Sequence, residues 1–515
     1  MKPWPFLKTM VIPLLLFATG FLLYAQQERS ATEGPAGFPL DDSWIHLQFA
    51  RNWADGGGFS HNFGEPTPGS TAPLWTLLLG IGAWLGLPLP LWAKGLGIVL
   101  SLGSMLLLSW LLWTTQGFRH HVLATGSLLA CSLPFMWSAF SGLEIGLCLC
   151  LMNGGLLLLT RQDPSRPPHW IAYLPLALAT QARPEMTVLF LISWLLFSGK
   201  HIQGSQNRDL TRLLFPLGLL VLAWAPYVLF CLKTTGRPLA NTFYAKTNTS
   251  GWVFPRASYL LQLYNSFWME NLLLGLFFPL GLLGLLTPSR RAHPLCQILP
   301  LWAIALPLAY SVIDRNVHFF NAGTFGRYLF PVYPYYVVIA VEGSLFAGQQ
   351  LRWPKRFVWL AFLPLLFQTG RFLKAGPSFY GRNVADIQKM QVSIGQWLKD
   401  HTHADSIVAT NDVGAIAYFS DRKIVDTAGL VHPDMGRKLA KASKQEGPFK
   451  EATVIQFLEE IQPDYLAIFP NWYPNLASSS SYREVHRVEI WDTFTCGGPV
   501  MLVLQRVFSP ESTVP

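Results

Sequence analysis

The chain has 515 residues, of which 51% are hydrophobic and 13% are charged. A soluble domain carries about 25% charged residues, so this composition excludes an ordinary soluble globular protein. The formal charge is +9, but Lys and Arg are scattered in short segments and form no basic face, which excludes a nucleic-acid-binding surface.

Apolar stretches recur from Val11 to Gly370, and several approach the roughly 20 residues that cross a hydrocarbon core. They predict an α-helical polytopic membrane protein with about eleven transmembrane helices. The predicted spans are 9–25, 94–115, 122–138, 144–160, 170–181, 186–198, 213–231, 267–287, 295–313, 327–347 and 357–370. We interpret the first as an uncleaved helix, because Leu23-Tyr24-Ala25 is a poor cleavage site.

Residues 73–89 are also apolar, but three glycines interrupt them and prolines follow, so we predict a helix lying in the plane of the outer membrane surface. Short cytoplasmic loops should be rich in Lys and Arg. With the N-terminus inside, the cytoplasmic segments hold Lys2, Lys8, Arg119, Arg161, Arg166, Lys200, Arg208, Arg212, Arg290, Arg291, Arg352, Lys355 and Arg356. If residues 73–89 crossed the membrane, the predicted side of every later segment would reverse. The basic residues from Arg119 onward would then no longer fall in cytoplasmic segments.

The threading predicts two domains in a bacterial inner membrane protein. Residues 1–370 form the transmembrane domain, with a first extracytoplasmic loop at 26–93, and residues 371–515 form a soluble extracytoplasmic α/β domain. In this tail, apolar spacing predicts an amphipathic helix over 383–399. Strands are predicted at 406–410, 423–426, 463–469 and 500–506, and 478–481 is predicted to be a loop.

The first loop contains adjacent carboxylates, Asp41 and Asp42, followed by His46 and Asn62. A carboxylate beside a membrane surface, with its pKa raised by a like charge, suits a general base acting on a hydroxyl group. The alternative is an Asp that caps a helix over 43–54, which Gly56 to Gly58 would end. A divalent cation held by His46 and His61 with Asp41 or Asp42 is a further alternative.

Five segments, taken in their order along the chain, resemble segments of a known protein family. They are DDSWIHLQFARNWADGGGFSHNFGEPTPGSTAPLWTLLLG at 41–80, SGLE at 141–144, ARPE at 182–185, GRPLANTFYAK at 236–246 and RYLFP at 327–331. Together they resemble the GT-C superfamily of integral membrane glycosyltransferases, which use polyprenyl-phosphate sugars. More narrowly, they resemble a branch that includes the terminal arabinofuranosyltransferases of mycobacterial cell walls.

The resemblance implies an inverting transfer in which Asp41 or Asp42 is the catalytic base, with Asp41 slightly favoured. It also implies cations at the departing phosphate, for which Lys246 and Arg327 are the first candidates and Arg237 and Arg183 follow. The alternative for these cations is contact with anionic headgroups. Gln48 and the loop 318–323 depart from the pattern, which leaves the donor sugar and any metal dependence open.

Other candidate site residues are Glu144, which would need a partner if buried, and Glu185, which could instead pair with Arg183 structurally. Trp472, Tyr473 and Trp491 could stack on sugar rings or pack in a core. Asp412 and Asp426 are neighbours of the site or turn residues.

The expected function is transfer of a hexosyl or pentosyl group from a polyprenyl-phosphate donor to a glycan, lipid or protein acceptor of the cell envelope. The partners implied are that donor, the acceptor and membrane lipids, without nucleic acid. The alternatives are a transporter or flippase of lipid-linked saccharides, and a non-catalytic envelope assembly protein. A transporter would carry charges inside the membrane and repeated halves, and the sequence shows neither clearly.

Overall fold

The computed structural model describes residues 4–32, 36–163, 166–204, 210–246, 261, 263–264, 268, 271–313, 327–352, 363–442 and 449–507. Its described part is mainly helical, with one five-stranded sheet towards the C-terminus. The chain divides into two compact units. The membrane unit contains Met1–Gln27, Lys94–Pro226 and Gly251–Tyr380, and the loop–tail unit contains Glu28–Ala93, Tyr227–Ser250 and Gly381–Pro515.

Helices precede the sheet along the chain. They are α1 (Trp4–Ala31), α2 (Asp41–Ala54), α3 (Pro73–Trp84), α4 (Leu89–Thr114), α5 (His121–Ala130), α6 (Leu133–Phe140), α7 (Ile145–Thr160), α8 (Leu174–Ala182), α9 (Met186–Gly204), α10 (Leu210–Thr235), α11 (Asn241–Lys246), α12 (Leu272–Leu285), α13 (Pro288–Arg291), α14 (Pro294–Ile313), α15 (Tyr333–Gln350) and α16 (Leu363–Ile387). Short 3₁₀ turns lie at Trp170–Tyr173 and Arg327–Leu329.

Within the described residues, four helical stretches are long and apolar enough to cross a membrane. They are Trp4–Ala31, Leu89–Thr114, Leu213–Thr235 and Pro294–Ser311. Helices α5 and α6 meet at a bend of 57° and add a fifth if they form one broken span. The predicted span 122–138 is therefore two helices, because the Ser132 hydroxyl caps α6 and Pro134 has no amide hydrogen to donate to α5. The number eleven stays a prediction.

Helix α3 has 12 residues, which at about 1.5 Å per residue gives about 18 Å. A hydrocarbon core is about 30 Å thick, so α3 is too short to cross it alone. The chain leaves α3 through Gly86, whose φ of +71° is a left-handed conformation that favours glycine. The length agrees with a helix that does not span, and its position in the plane of the membrane stays a prediction.

Helix α2 begins at Asp41, two residues earlier than the predicted start at 43. Leu40 occupies the N-cap position and provides no side-chain cap, so the alternative that an Asp caps this helix is wrong. Both aspartates instead lie in the first turn, where the helix dipole favours negative charge. After Ala54 the chain passes through Gly56 and Gly58 with φ of +87° and +74°, which is the predicted helix stop.

The tail folds as an α/β domain, as the sequence predicts. Its elements are α17 (Ser393–His401), β1 (Ile407–Thr410), α18 (Ala415–Ser420), β2 (Lys423–Asp426), α19 (Pro433–Lys441), α20 (Glu451–Ile461), β3 (Tyr465–Ile468), α21 (Pro474–Ala477), β4 (Tyr482–Glu489) and β5 (Val500–Arg506). The sheet order is β2-β1-β3-β5-β4. Strands β1, β2 and β3 are parallel, whereas β5 runs antiparallel to both β3 and β4.

Strand β4 was not predicted. It lies at the sheet edge and contains Arg483, Glu484, Arg487 and Glu489, so it lacks the apolar alternation that marks a half-buried strand. The predicted helix 383–399 corresponds to the end of α16, a π-helical segment Gln388–Val392 and then α17.

The first loop contributes to the core of the tail. Ile45 and Phe49 of α2 pack in one cluster with Val408 of β1 and Ile416 of α18. The next residue of β1, Ala409, belongs to the core on the other face of the sheet, as the two-residue period of a strand requires. The burial of these apolar side chains of α2 therefore holds the first loop against the tail within the loop–tail unit.

Candidate active site

The carboxylate of Asp41 is held by the backbone of the tail. The Gly414 amide donates to Asp41 Oδ2 at 2.7 Å, and the Ala415 amide donates to Oδ1 at 2.7 Å. A side chain at 414 would not fit, because a Cβ there would lie 2.1 Å from the Asp41 carbonyl oxygen. Both oxygens of Asp41 are thus occupied by hydrogen bonds across 373 and 374 residues of sequence.

Asp412 lies beside this contact. Its Oδ2 accepts from Gln391 Nε2 at 2.6 Å, and its Oδ1 accepts from Asn411 Nδ2 at 2.8 Å. Burial, with a smaller contribution from the charge of Asp42, raises the pKa of Asp412 to about 6, against the lowering effect of the hydrogen bonds from Gln391 and Asn411. Burial and the charge of Asp412 hold the pKa of Asp41 well above its usual range, against the lowering effect of the two amides. Asp41, Asp42 and Asp412 are therefore one electrostatically coupled carboxylate cluster.

Two other first-loop candidates bind the tail through backbone atoms. His61 Nε2 donates to the Val413 carbonyl at 2.9 Å, and burial lowers the pKa of His61 to about 4, so its imidazole is neutral. Asn62 Oδ1 accepts from the Ile424 amide at 2.9 Å, while its Nδ2 donates to the Ile424 carbonyl at 3.0 Å. These contacts place Asn62 as a docking residue at the edge of β2.

His46 belongs to a small hydroxyl network. Its Nδ1 lies 3.2 Å from Thr76 Oγ1 and 3.2 Å from Ser70 Oγ, and all three side chains are buried. Gln48 donates to the His61 carbonyl at 3.0 Å and accepts from Arg51 at 2.8 Å. Across the described residues, no group of three or more His, Cys, Asp or Glu side chains could hold a metal ion.

Of the phosphate candidates in the loop–tail unit, Arg237 is described in full. Its guanidinium lies 4.8 Å from the centre of the Tyr244 ring, and no described carboxylate pairs with it. Helix α11 ends at Lys246, whose side chain lies outside the described residues. Asn241, at the start of α11, donates from its backbone to the Pro68 carbonyl at 2.9 Å. This bond ties the Arg237 segment to the first loop.

The remaining candidates gather in the membrane unit. Arg183 is buried and pairs with Glu185 at 2.7 Å and with Glu144 at 3.4 Å, so Glu144 has the partner that its burial requires. Tyr310, which no sequence motif marks as a candidate, donates to Glu185 Oε1 at 2.8 Å.

The guanidinium groups of Arg183 and Arg327 both lie near the ring of Tyr328. The guanidinium of Arg183 lies 5.9 Å from the ring centre and that of Arg327 lies 5.2 Å from it. The loop 318–323, predicted to depart from the family pattern, lies outside the described residues.

The three aromatic candidates of the tail differ in their surroundings. Tyr473 is buried, and Trp472 stacks on Phe449 at 4.4 Å and donates to the Gly497 carbonyl, so both pack in the domain. Trp491 is 89% exposed. Its ring is therefore accessible to solvent, unlike those of the other two.

The sequence singled out Asp41, Asp42, Glu144 and Arg183 as candidates, but not the contacts that define their surroundings. Gly414 and Gln391, which touch the carboxylate cluster, were not selected, because a glycine and a helical glutamine have no distinctive local signal.

Comparison with known proteins extends this description. A model for a domain of unknown function, DUF8728, matches residues 382–504, the tail. The terminal β-(1→2)-arabinofuranosyltransferase of Mycobacterium tuberculosis (strain ATCC 25618 / H37Rv) is 37% identical over 123 residues, which are 22% of this chain. The matched part covers 19% of that relative's length.

Solved structures match along almost the whole chain. ArnT from Cupriavidus metallidurans, bound to undecaprenyl phosphate, superposes with a TM-score of 0.60 at 14% identity, covering 96% of this chain and 98% of ArnT. The arabinofuranosyltransferase AftD from Mycobacteria has a TM-score of 0.51 at 14% identity, covering 99% of this chain and 40% of AftD. The chain is thus a multi-pass membrane protein with the fold of the GT-C membrane glycosyltransferases, and it resembles the mycobacterial arabinofuranosyltransferases, as its motifs indicate.

Proposed function

We propose that this chain is an inverting glycosyltransferase that moves a hexosyl or pentosyl group from a polyprenyl-phosphate donor to a glycan, lipid or protein acceptor of the cell envelope. The observation that carries the proposal is the agreement of fold along 96% of the chain with ArnT, whose structure contains undecaprenyl phosphate. The local identity to an arabinofuranosyltransferase supports the same reaction class.

The chemistry needs a base for the acceptor hydroxyl. In an inverting transfer the hydroxyl oxygen bonds to the sugar C1 while the bond from C1 to the phosphate oxygen breaks. The bonding electrons leave with polyprenyl phosphate, and the hydroxyl proton passes to a carboxylate. Asp41 and Asp42 supply such carboxylates, and burial with like charges raises the pKa of Asp41, a shift typical of catalytic acids and bases.

The departing phosphate needs cations. Arg237 suits this role best among the described side chains of the loop–tail unit, because a guanidinium can bind phosphate oxygens in pairs and no described carboxylate neutralises it. Arg183 is instead compensated by Glu144 and Glu185, so we assign it to holding the membrane unit together. Lys246 and Arg327, the latter beside Tyr328, stay candidates predicted from the sequence.

The proposed site faces the extracytoplasmic side, as the distribution of Lys and Arg predicts. A cysteine replacing exposed Asp55 in the first loop should react with an impermeant maleimide added to intact cells, whereas one replacing exposed Gln116, between α4 and α5, should not. The opposite labelling pattern would overturn the orientation. The wild-type chain, with its six cysteines, sets the background.

The function is tested in proteoliposomes with a panel of polyprenyl-phosphate pentoses and hexoses. The wild-type chain should transfer from at least one donor, and the double variant Asp41→Asn, Asp42→Asn should lose about a hundredfold or more. Asp55→Asn, which changes an exposed aspartate just after α2, is the matched control and should retain the wild-type rate. Absence of wild-type transfer from every donor would refute the donor class, and full activity of the double variant would refute the proposed base.

A further inference from the structure

The segment around Arg237, residues 235–241, is held by the tail just before the arginine. Thr235 is the last residue of α10, and its carbonyl accepts from Arg437 Nη1 of α19 at 3.3 Å. The Thr235 hydroxyl in turn accepts from the backbone amide of Arg237 at 3.3 Å. Gly236, which lies between them, has a φ of +70°, a left-handed conformation that favours glycine at the end of a helix. A side chain of the tail therefore holds the residue that holds the Arg237 backbone.

The same segment is held again just after the arginine, where three parts of the chain meet at Thr67. Asn241 Nδ2 donates to Thr67 Oγ1 at 3.2 Å, and the Thr67 hydroxyl donates to the Val431 carbonyl of the tail at 2.9 Å. The Asn241 amide also donates to the Pro68 carbonyl. A hydroxyl can accept one hydrogen bond while it donates another, which an apolar side chain of the same shape cannot do. Thr67 and Asn241 are both buried, so these bonds are made away from solvent.

Both holding contacts come from one stretch of the tail, residues 426–441. Asp426, at the end of β2, accepts from the Val431 amide at 2.6 Å and from two further amides of the same turn. This carboxylate fixes the turn that carries Val431. Helix α19, which carries Arg437, begins at Pro433, two residues later. The stretch therefore reaches the Arg237 segment from both sides of the arginine.

A guanidinium binds two phosphate oxygens only when its plane and its nitrogen atoms are aligned with them. Ordering a loose segment during binding would weaken the affinity for the phosphate. Contacts two residues before and four residues after Arg237 order its backbone in advance. The Tyr244 ring, 4.8 Å from the guanidinium, restricts the side chain as well.

We propose that Thr67 and Arg437 are positioning residues of the donor site, which hold Arg237 in place for the phosphate of the lipid-linked sugar. This inference rests on the proposed function. It gives the tail a part in that function, because the tail orders a donor-binding turn that lies outside its own sequence.

The test begins with the affinity of the purified chain for undecaprenyl phosphate in detergent micelles, together with the donor KM and kcat in proteoliposomes. Thr67→Val removes the hydroxyl, so the affinity should fall and the KM should rise about twofold to tenfold, with kcat near the wild-type value. Thr67→Ser keeps the hydroxyl and should restore both. Arg437→Ala should act like Thr67→Val, whereas Lys441→Ala, which removes an exposed cation of the same helix, should change neither.

A double-variant comparison separates positioning from general support of the fold. Because Thr67 and Arg437 are proposed to act through Arg237, neither Thr67→Val nor Arg437→Ala should weaken binding further in an Arg237→Ala background. Equal losses in both backgrounds would overturn the inference, and so would an unmoved affinity in the folded single variants. Thermal unfolding in detergent identifies the folded variants, and either of the two substitutions suffices for the comparison.

Two results with the wild-type chain distinguish this inference from the function on which it rests. A chain that binds undecaprenyl phosphate with the expected differences among variants, but transfers sugar from no donor, would refute the proposed function and support the positioning of Arg237. A chain that does not bind undecaprenyl phosphate would overturn the inference.

Discussion

The side chain of Asn62 pairs with the backbone of Ile424 as a neighbouring strand would. Its oxygen accepts the Ile424 amide at 2.9 Å and its nitrogen donates to the Ile424 carbonyl at 3.0 Å. Strand β2 is an edge of the sheet, and an edge exposes backbone groups that need partners. A residue of the first loop therefore completes the hydrogen bonding of the tail at this point.

This pairing makes Asn62 a stability residue. Asn62→Ala should destabilise the loop–tail unit by about 1–3 kcal/mol, because the amide and carbonyl of Ile424 lose their partner. Chemical unfolding in detergent measures the change, and KM for the donor should stay near the wild-type value. Gln396→Ala, at an exposed position of α17, is the control. A raised KM without a loss of stability would instead indicate that Asn62 takes part in substrate binding.

Asp426 should make stability depend on pH. Its side chain accepts from the amides of Ala428, Gly429 and Val431, yet burial raises its pKa to about 6. The folded state therefore binds the proton more tightly than the unfolded chain, where the pKa is about 3.9. The contribution to stability is fully present below about pH 4 and is lost as the pH rises through about 6.

The loss of unfolding free energy between about pH 4 and about pH 6 should be smaller in Asp426→Asn, by up to about 3 kcal/mol, since one pKa unit corresponds to about 1.4 kcal/mol. Asp412 titrates in the same range, so part of the slope remains. Unfolding free energies measured at several pH values test the prediction. Asp405→Asn, an exposed change in the same domain, should leave the slope unaltered. An Asp426→Asn protein with the wild-type slope would contradict it.

Arg183 should be essential to the membrane unit. Arg183→Ala would leave Glu144 and Glu185 buried without their cation, at a cost of about 3–5 kcal/mol. Size-exclusion chromatography and thermal unfolding in detergent should show loss of folded protein. Adding Glu144→Gln and Glu185→Gln to this variant should recover part of the stability. A stable Arg183→Ala protein with a raised donor KM would instead favour phosphate binding.

Arg237 should behave in the opposite way. Arg237→Ala removes a guanidinium that no described carboxylate compensates, so stability should change little. If it binds the donor phosphate, KM for the donor should rise about tenfold to a hundredfold, as a charge-assisted hydrogen bond contributes about 1.5–3 kcal/mol. Lys233→Ala, an exposed change four residues earlier, is the control for general loss of positive charge. Equal effects of the two variants would assign Arg237 to nonspecific lipid contact.

The elements that could be predicted are those marked by the composition and period of their own residues. The apolar stretches, the helix stop at Gly56 and Gly58, and four of the five strands follow from composition and period within a few residues. Strand β4 was missed because Arg483 and Arg487 belong to an exposed edge, where packing places no demand for apolar residues.

The environment of the site could not be predicted in the same way. The contact of Asp41 with Gly414 spans 373 residues, and nothing near either residue encodes the other. The sequence favoured Asp41 over Asp42 as the base, and it had no means of weighing the two amides that occupy the oxygens of Asp41. Roles within a pair of identical side chains depend on such long-range contacts.

The same separation has a consequence for biosynthesis. The ribosome makes Asp41 long before Gly414, so the first loop is synthesised before the backbone that will hold it exists. Until residue 415 has been translated and β1 has paired, α2 also lacks the apolar surface that covers Ile45 and Phe49. The loop–tail unit is therefore completed late in synthesis, and partly synthesised chains in the membrane lack the backbone that holds the Asp41 carboxylate.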